Sequence, residues 1–297
     1  MKKFLIVIGD NNHLGKYNEF LTNIKKLFKE EFYYTYIDQL TFSIVKGQVS
    51  IYDLINQKEL KSFDLVYFYR WKYSGMSEVA TCAYYLKNHK VNFINKNSNI
   101  LAAQSKAKDS LIMALNGLSV PDMVFSLNQG ILNELRNKFN IQFPLLLKDI
   151  KGSKGKNIYL VKNEDNLLKI LKNNENIKFL IQEYIPNKFD FRTLVLGDKV
   201  GCTYKRTRQS DQELLNHAFL GAKEEEVILK KKTIEKNMIK AAKLLDLQIA
   251  GVDYIYDEKS DRYYILEVNS SPGFTLESSS ISEFPKFVNY LETIINE

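Results

Sequence analysis

Cysteine is scarce in this chain. Its 297 residues hold two, Cys82 and Cys202, in unrelated segments and without CxxC or Cys/His spacing. That excludes a disulfide framework and any zinc site of the usual pattern. The three histidines, His13, His89 and His217, are scattered and read as surface or core residues rather than ligands. Long apolar runs are missing too, and nothing approaches the roughly 20 residues of a membrane span. The opening MKKFLIVIGDNN is cut short by Asp10 and has no small-residue cleavage pattern, so a cytoplasmic protein without a membrane partner is expected. There is no internal repeat and no low-complexity linker.

With 45% hydrophobic and 26% charged residues, the chain has the composition of a globular protein long enough for two or three subdomains. Its net charge of +7 comes from lysines spread along the whole length. A nucleic-acid binder more often gathers basic residues into a stripe with interleaved aromatics, so no nucleic-acid partner is expected. Runs such as LKKKT at 229–233 fall at helix ends or faces. A basic cleft for phosphates or for an acidic substrate accounts for the excess equally well.

Strands alternate with helices over residues 1–97: FLIVIG, a helical pattern through Phe20, Leu21, Ile24 and Leu27, the strand DLVYFY at 64–69, the helix SEVATCAYYLKNH, then VNFIN. This alternation predicts a small parallel sheet. Ligands of such sheets sit beyond the carboxyl ends of strands, where Arg70 lies. Arg70 is therefore a candidate for gripping a substrate carboxylate, with a surface or domain-interface arginine as the alternative. A helix over 98–118 ends at Gly117, with Pro121 soon after. Strand, glycine turn and strand follow at 144–161, a helix at 164–175 and a strand at 178–185. The remainder is a hairpin at 191–207 turning at Gly-Asp, an amphipathic helix at 231–246, a hairpin ending in LEVN, and a C-terminal helix.

The last hairpin carries an unusual polar set. With DEKSDR as the turn, Asp253 falls opposite or next to Glu267, and Asn269 shares the face of Glu267. Such residue types also occur on a solvated edge strand. Three hard oxygen donors without His or Cys suit Mg²⁺, and two buried carboxylates side by side call for a cation between them. A phosphate site is sought elsewhere, and KDIKGSKGKN offers one: Gly152, Ser153 and Gly155 between two strands, with Lys148 on the incoming strand. The same glycines suit a plain hairpin turn. GDNNHLGKY at 9–17 is a decoy, because five residues separate Gly9 from Gly15 and Tyr17 stands where a P-loop has Ser or Thr.

Taken in order, LLLKDIKGSKG, IQEYI, DFRTLVLGDKV, AGVDYI and LEVNSSPGF resemble the ATP-grasp superfamily, specifically its RimK-like carboxylate–amine ligases, from about residue 99 to the end. The resemblance implies an α/β fold with an α+β C-terminal part: a pre-grasp domain over 1–97, a lid subdomain over 98–181 and a metal-binding catalytic subdomain over 182–297, the last two clamping ATP. It implies phosphate-binding roles for Lys106 and Lys148, and a loop closing over the triphosphate at Gly152, Ser153 and Gly155. Glu183, Tyr184 and Ile185 would contact adenine, and Asp190 the ribose. Arg192 and Arg206, with Lys148, would face the phosphates or the acyl-phosphate, and Asn216 would lie near the transferred phosphate. Asp253, Glu267 and Asn269 match magnesium ligands, for two ions that Mn²⁺ can replace. Asn157 departs from the family, standing where many relatives keep a third glycine, and 208–229 is unlike the family pattern.

The implied chemistry is phosphorylation of a carboxylate by ATP, followed by attack of an amine, or a hydroxyl, on the acyl-phosphate. The first expectation is a ligase adding an amino acid such as glutamate to an acidic small molecule or to a peptide or protein tail. The second is an enzyme that installs amide or ester cross-links in a ribosomal precursor peptide. A non-catalytic nucleotide-binding module is the third, and a homo-oligomer is expected by analogy.

Overall fold

Phe4, Leu5, Ile6, Val7 and Ile8 are all buried because their strand lies in the middle of a sheet covered on both faces. The computed structural model describes residues 1–9, 17–70, 76–96, 105–150, 152, 157–208, 222–229, 231–257, 260–274 and 283–297. Ser153, Gly155 and Asn216 lie outside the described residues, as do most of the P-loop decoy and most of 208–229.

In chain order, β1 (Lys3–Ile8), α1 (Asn18–Leu27), β2 (Glu31–Tyr36), β3 (Leu40–Val45), β4 (Gln48–Asp53), β5 (Lys58–Glu59), β6 (Leu65–Tyr69), α2 (Met76–Asn88) and β7 (Asn92–Ile94) build the first part. Four of these strands form a parallel sheet in the order β2-β1-β6-β7. Side chains alternate between its faces: Phe4, Ile6, Ile8, Leu65, Tyr67 and Tyr69 join one core, and Leu5, Val7, Val66 and Phe68 another. The expected parallel sheet is present. Besides it, the structure has β2 at the sheet's edge and an inserted antiparallel sheet, β3-β4-β5, that the sequence pattern does not reveal.

The second part runs through α3 (Lys106–Leu115), β8 (Met123–Phe125), α4 (Leu132–Lys138), β9 (Leu145–Asp149), β10 (Ile158–Val161), α5 (Glu164–Asn173) and β11 (Phe179–Glu183). Ser105 caps α3 by accepting the N–H of Lys108, and Gly117 takes the left-handed turn after it at φ 75°. The sheet order is β10-β9-β11-β8. Leu145, Leu147, Phe179 and Ile181 pack with Leu132 and Leu167 of α4 and α5. The alternate residues Leu146, Lys148, Leu180 and Gln182 therefore point to the opposite face, and they line a cleft there.

The third part comprises β12 (Phe189–Leu196), β13 (Lys199–Thr207), β14 (Lys223–Glu226), α6 (Lys232–Leu244), β15 (Ile249–Asp257), β16 (Arg262–Asn269) and α7 (Glu283–Asn296). Its antiparallel sheet has the order β14-β13-β12-β15-β16. The β12–β13 turn falls at Gly-Asp as expected, with Gly197 at φ 59°. One face packs on α6 through Val195, Ala250, Val252, Tyr254 and Ile265. The other face is divided. At one end Leu194, Leu196, Cys202, Tyr204 and Ile249 share a core with α7 and the first sheet. At its other end the same face presents Asp190, Arg192, Arg206 and Asp253. Among the described residues no helix is long and apolar enough to cross a membrane.

Candidate active site

The cleft lies between the second and third sheets. Met123, Leu146, Ile158 and Leu180 line it from the second sheet, and Ile255 and Leu266 from the third. Lys106, Lys148, Glu183, Tyr184, Ile185, Asp190, Arg206, Asp253 and Glu267 also line it, so most of the described sequence-predicted nucleotide and metal residues converge on one space. The apolar side chains on opposing sheets leave room suited to a flat ring, with charged groups gathered beside it.

Strand register positions the charges. Asp253 pairs with Glu267 across β15–β16, the direct one of the two placements the hairpin pattern allowed, and Gly251 pairs with Asn269. The predicted ladder did not include a bulge. After Asp253 the register shifts, so Tyr254 pairs with Ile265 and Leu266 is the extra residue. That irregularity lets two consecutive residues, Leu266 and Glu267, line the same cleft. Leu266, Ile255 and Leu146 were missed from sequence because their strands are apolar on both faces and the pattern does not say which face is open.

Asp253 is held by cations of the protein itself. Arg192, its register partner on β12, donates from Nε to Oδ1 and from Nη2 to Oδ2, each at 2.6 Å. Nη2 of Arg206 reaches Oδ1 at 3.2 Å, and Nδ2 of Asn269 reaches Oδ2 at 3.2 Å. Arg206 also donates from Nε to Oδ1 of Asp190 at 2.6 Å, again between register partners. Burial pulls both arginines towards the neutral form, but the adjacent carboxylates outweigh it and hold the guanidinium groups above their ordinary value. Burial pushes Asp190 up to about 7, against the pull of Arg206. Arg192 and Arg206 thus already supply positive charge beside Asp253, where the sequence argument looked to a metal alone.

Lys148 sits between Ile158 and Leu180 in the register of the second sheet. Burial draws its pKa down to about 8, with Glu267 opposing and Lys106 adding to the effect. The Lys106 ammonium donates to the carbonyl of Gly152 at 2.5 Å, tying α3 to the glycine segment. Asn157 adopts φ 55°, and its Nδ2 donates to Oδ2 of Asp149 at 3.0 Å. Asparagine tolerates the left-handed region, which suits it to this backbone conformation.

Arg70 lies outside this cleft lining. It has φ 59°, its N–H donates to Oγ of Ser271 at 2.9 Å, and its guanidinium stacks 5.4 Å from the Tyr69 ring. A Cβ on Gly273 would come 2.7 Å from Nη2 of Arg70, so the Ser-Pro-Gly turn after Asn269 leaves space for this arginine. Asn95 was not singled out from sequence, where it is one of several asparagines in FINKNSN. Its buried side chain bonds the backbone of Ile249 and of Ser270.

The donor set suits a hard divalent cation: two carboxylates on facing strands and an amide whose Nδ2 is turned to Asp253, leaving its oxygen for another partner. Comparison with solved structures gives the fold class. The chain superposes with a TM-score of 0.73 on the ATP-grasp ligase PsnB, solved with Mg, ADP and a phosphomimetic variant of its minimal precursor, over 98% of each chain at 14% identity. The fold is that of the ATP-grasp ligases. A model of the RimK-like ATP-grasp domain matches residues 103–283, and the chain belongs to that family of ATP-dependent carboxylate–amine ligases. It is 27% identical over 216 residues to the coenzyme gamma-F420-2:alpha-L-glutamate ligase of Methanocaldococcus jannaschii, covering 71% of this chain and 70% of that one. A probable alpha-L-glutamate ligase of Haemophilus influenzae is 30% identical over 206 residues, 67% of this chain and 66% of the relative.

Proposed function

We propose that this enzyme uses ATP and Mg²⁺ to activate a substrate carboxylate as an acyl-phosphate and joins it to the amine of an amino acid. Glutamate is the leading amino acid, with an acidic small molecule or a peptide or protein tail as acceptor. The observation that carries the reading is the single cleft that brings Lys106, Lys148, Arg206, Asp253 and Glu267 together beside opposing apolar side chains. The glutamate ligase names of the two sequence relatives support the choice of amino acid.

In this reading Leu146, Leu180, Ile255 and Leu266 flank adenine, Glu183 to Ile185 read its edge, and Asp190 meets the ribose. Lys106, Lys148 and Arg206 hold the phosphates in line with the carboxylate, so the protein aligns groups and neutralises charge. Asp253, Glu267 and Asn269 would hold Mg²⁺, two ions in all with Mn²⁺ as a substitute, which draw charge from the transferring phosphoryl group. Gly152 to Gly155 close over the triphosphate and keep water from the acyl-phosphate. Arg70 takes the carboxylate of a non-nucleotide substrate, and Asn216 lies near the transferred phosphate. The division at 1–97, 98–181 and 182–297, a cytoplasmic location and a homo-oligomeric state belong to the same proposal.

A second reading, cross-linking of a ribosomal precursor peptide with amide or ester bonds, is favoured by the likeness to PsnB over nearly the whole chain, including the first sheet. The test is Mg²⁺-dependent ADP release with pools of amino acids, acidic peptides and candidate precursors, comparing wild type with Glu267→Ala. Release that needs one carboxylate and one free amine, and is lost in the variant, supports the ligase. Release driven by a precursor peptide alone, with loss of water from that peptide, supports the second reading. ATP binding with no release in any pool sinks both.

A further inference from the structure

At least four donors among the described residues reach the two oxygens of Asp253: Nε and Nη2 of Arg192, Nη2 of Arg206 and Nδ2 of Asn269. An ionised carboxylate offers about four lone-pair sites, so a cation must replace one of these donors to bind Asp253. The three side chains differ in how readily they yield. Arg206 is anchored a second time on Asp190 and is 3% exposed. Asn269 is neutral, so turning it away changes no charge. Arg192 is 16% exposed and makes its two shortest contacts, 2.6 Å each, with Asp253.

Charge points the same way. Arg192 and Arg206 balance Asp253 and Asp190, and Lys148 is near enough to Glu267 to feel its charge. A divalent cation arriving alone would enter a cluster already neutralised, next to a guanidinium, where low polarity magnifies repulsion. A triphosphate reverses that balance: its oxygens compete for the arginines and lysines, and the carboxylates then need a new counter-charge.

We infer that Arg192 is the resident counter-cation of Asp253, a positioning residue that makes divalent-cation binding at Asp253 and Glu267 conditional on nucleotide. The inference rests on the ligase reading for the identity of the site. It differs from the role implied by the family resemblance, in which Arg192 simply faces the phosphates. In the nucleotide complex the guanidinium swings from Asp253 towards the phosphates, and the two roles succeed one another.

The experiment measures Mn²⁺ uptake by electron paramagnetic resonance, with Mn²⁺ alone and then with a non-hydrolysable ATP analogue. Wild type, Arg192→Lys and Arg192→Gln are compared. Without nucleotide, Arg192→Gln should bind Mn²⁺ at least about tenfold more tightly than wild type, since the carboxylate is left without its cation. Lysine keeps the charge but cannot span both oxygens, so Arg192→Lys should fall between the two. That variant also guards against Arg192→Gln failing to fold, because Arg192→Lys alone must still exceed wild type. Equal nucleotide-free affinity in wild type and variants, with normal uptake once the analogue is added, overturns the counter-cation role and leaves the ligase reading standing. A wild type that takes up no Mn²⁺ even with the analogue overturns the ligase reading and this inference together.

Discussion

Asn95 and Ile249 hydrogen-bond each other twice: Oδ1 of Asn95 accepts the Ile249 N–H at 2.7 Å, and Nδ2 donates to the Ile249 carbonyl at 2.9 Å. The same Nδ2 reaches the Ser270 carbonyl at 2.7 Å. One side chain just beyond β7 thus fastens the start of β15 and the turn following Asn269. Replacing Asn95 with alanine strands a buried N–H and two carbonyls. The expected loss is about 2–4 kcal/mol, read as a lower midpoint in urea unfolding. A loss below about 0.5 kcal/mol would show that solvent reaches these groups.

Gly273→Ala should separate substrate binding from stability. The new Cβ would lie 2.7 Å from Nη2 of Arg70, the far end of a side chain that can shift. The melting temperature should stay close to wild type, while KM for one non-nucleotide substrate rises and KM for ATP does not. Unchanged kinetics for all substrates would remove Arg70 from the substrate site.

On the proposed phosphate-binding role, Lys148 should make nucleotide affinity depend on pH. Burial sets its pKa at about 8, and phosphate binding needs the charged ammonium. Below that value the lysine is already protonated and affinity is flat. Above it, binding must take up a proton, and affinity falls by up to about tenfold per pH unit. Calorimetric titration with ADP from about pH 7 to pH 9.5 checks this, and Lys148→Arg, which stays charged, should flatten the curve. A flat wild-type curve refutes the assignment.

Leu266→Ala should weaken nucleotide binding with little change in kcat. It removes apolar contact from one side of the cleft and leaves Glu267 in place. About 1–2 kcal/mol of burial is at stake, or roughly five- to thirtyfold in ADP affinity. If kcat falls by the same factor while affinity holds, the side chain serves the chemistry and does not merely seat the base.

Much of the fold was legible where burial imposed a period. The runs FLIVI, LVYFY and LLLK announce strands because parallel or doubly covered strands are apolar throughout. The nearness of Asp253 to Glu267 was readable because a hairpin with a short polar turn fixes its register to within about a residue. The bulge at Leu266 was not, since a one-residue slip depends on how two strands fit and leaves no mark in alternation. Strands β2 to β5 leave no such period. Several of their apolar side chains, including Tyr34, Phe42, Ile44 and Val49, are exposed, so no inside–outside contrast marks them. Charges were visible in the sequence, but their partners were not: Arg192 meets Asp253 only because β12 lies beside β15 in a particular register.

The helix α7 joins a core with β1 and β6, so Phe284, Phe287 and Leu291 complete the packing of Phe4, Ile6 and Tyr67. During synthesis this sets an order of dependence between them. β1 and β6 are made well before α7, so part of the sheet face they share stays uncovered until that helix follows. The partly covered sheet is then a natural client for a chaperone, and a late step of folding brings α7 back onto strands made much earlier.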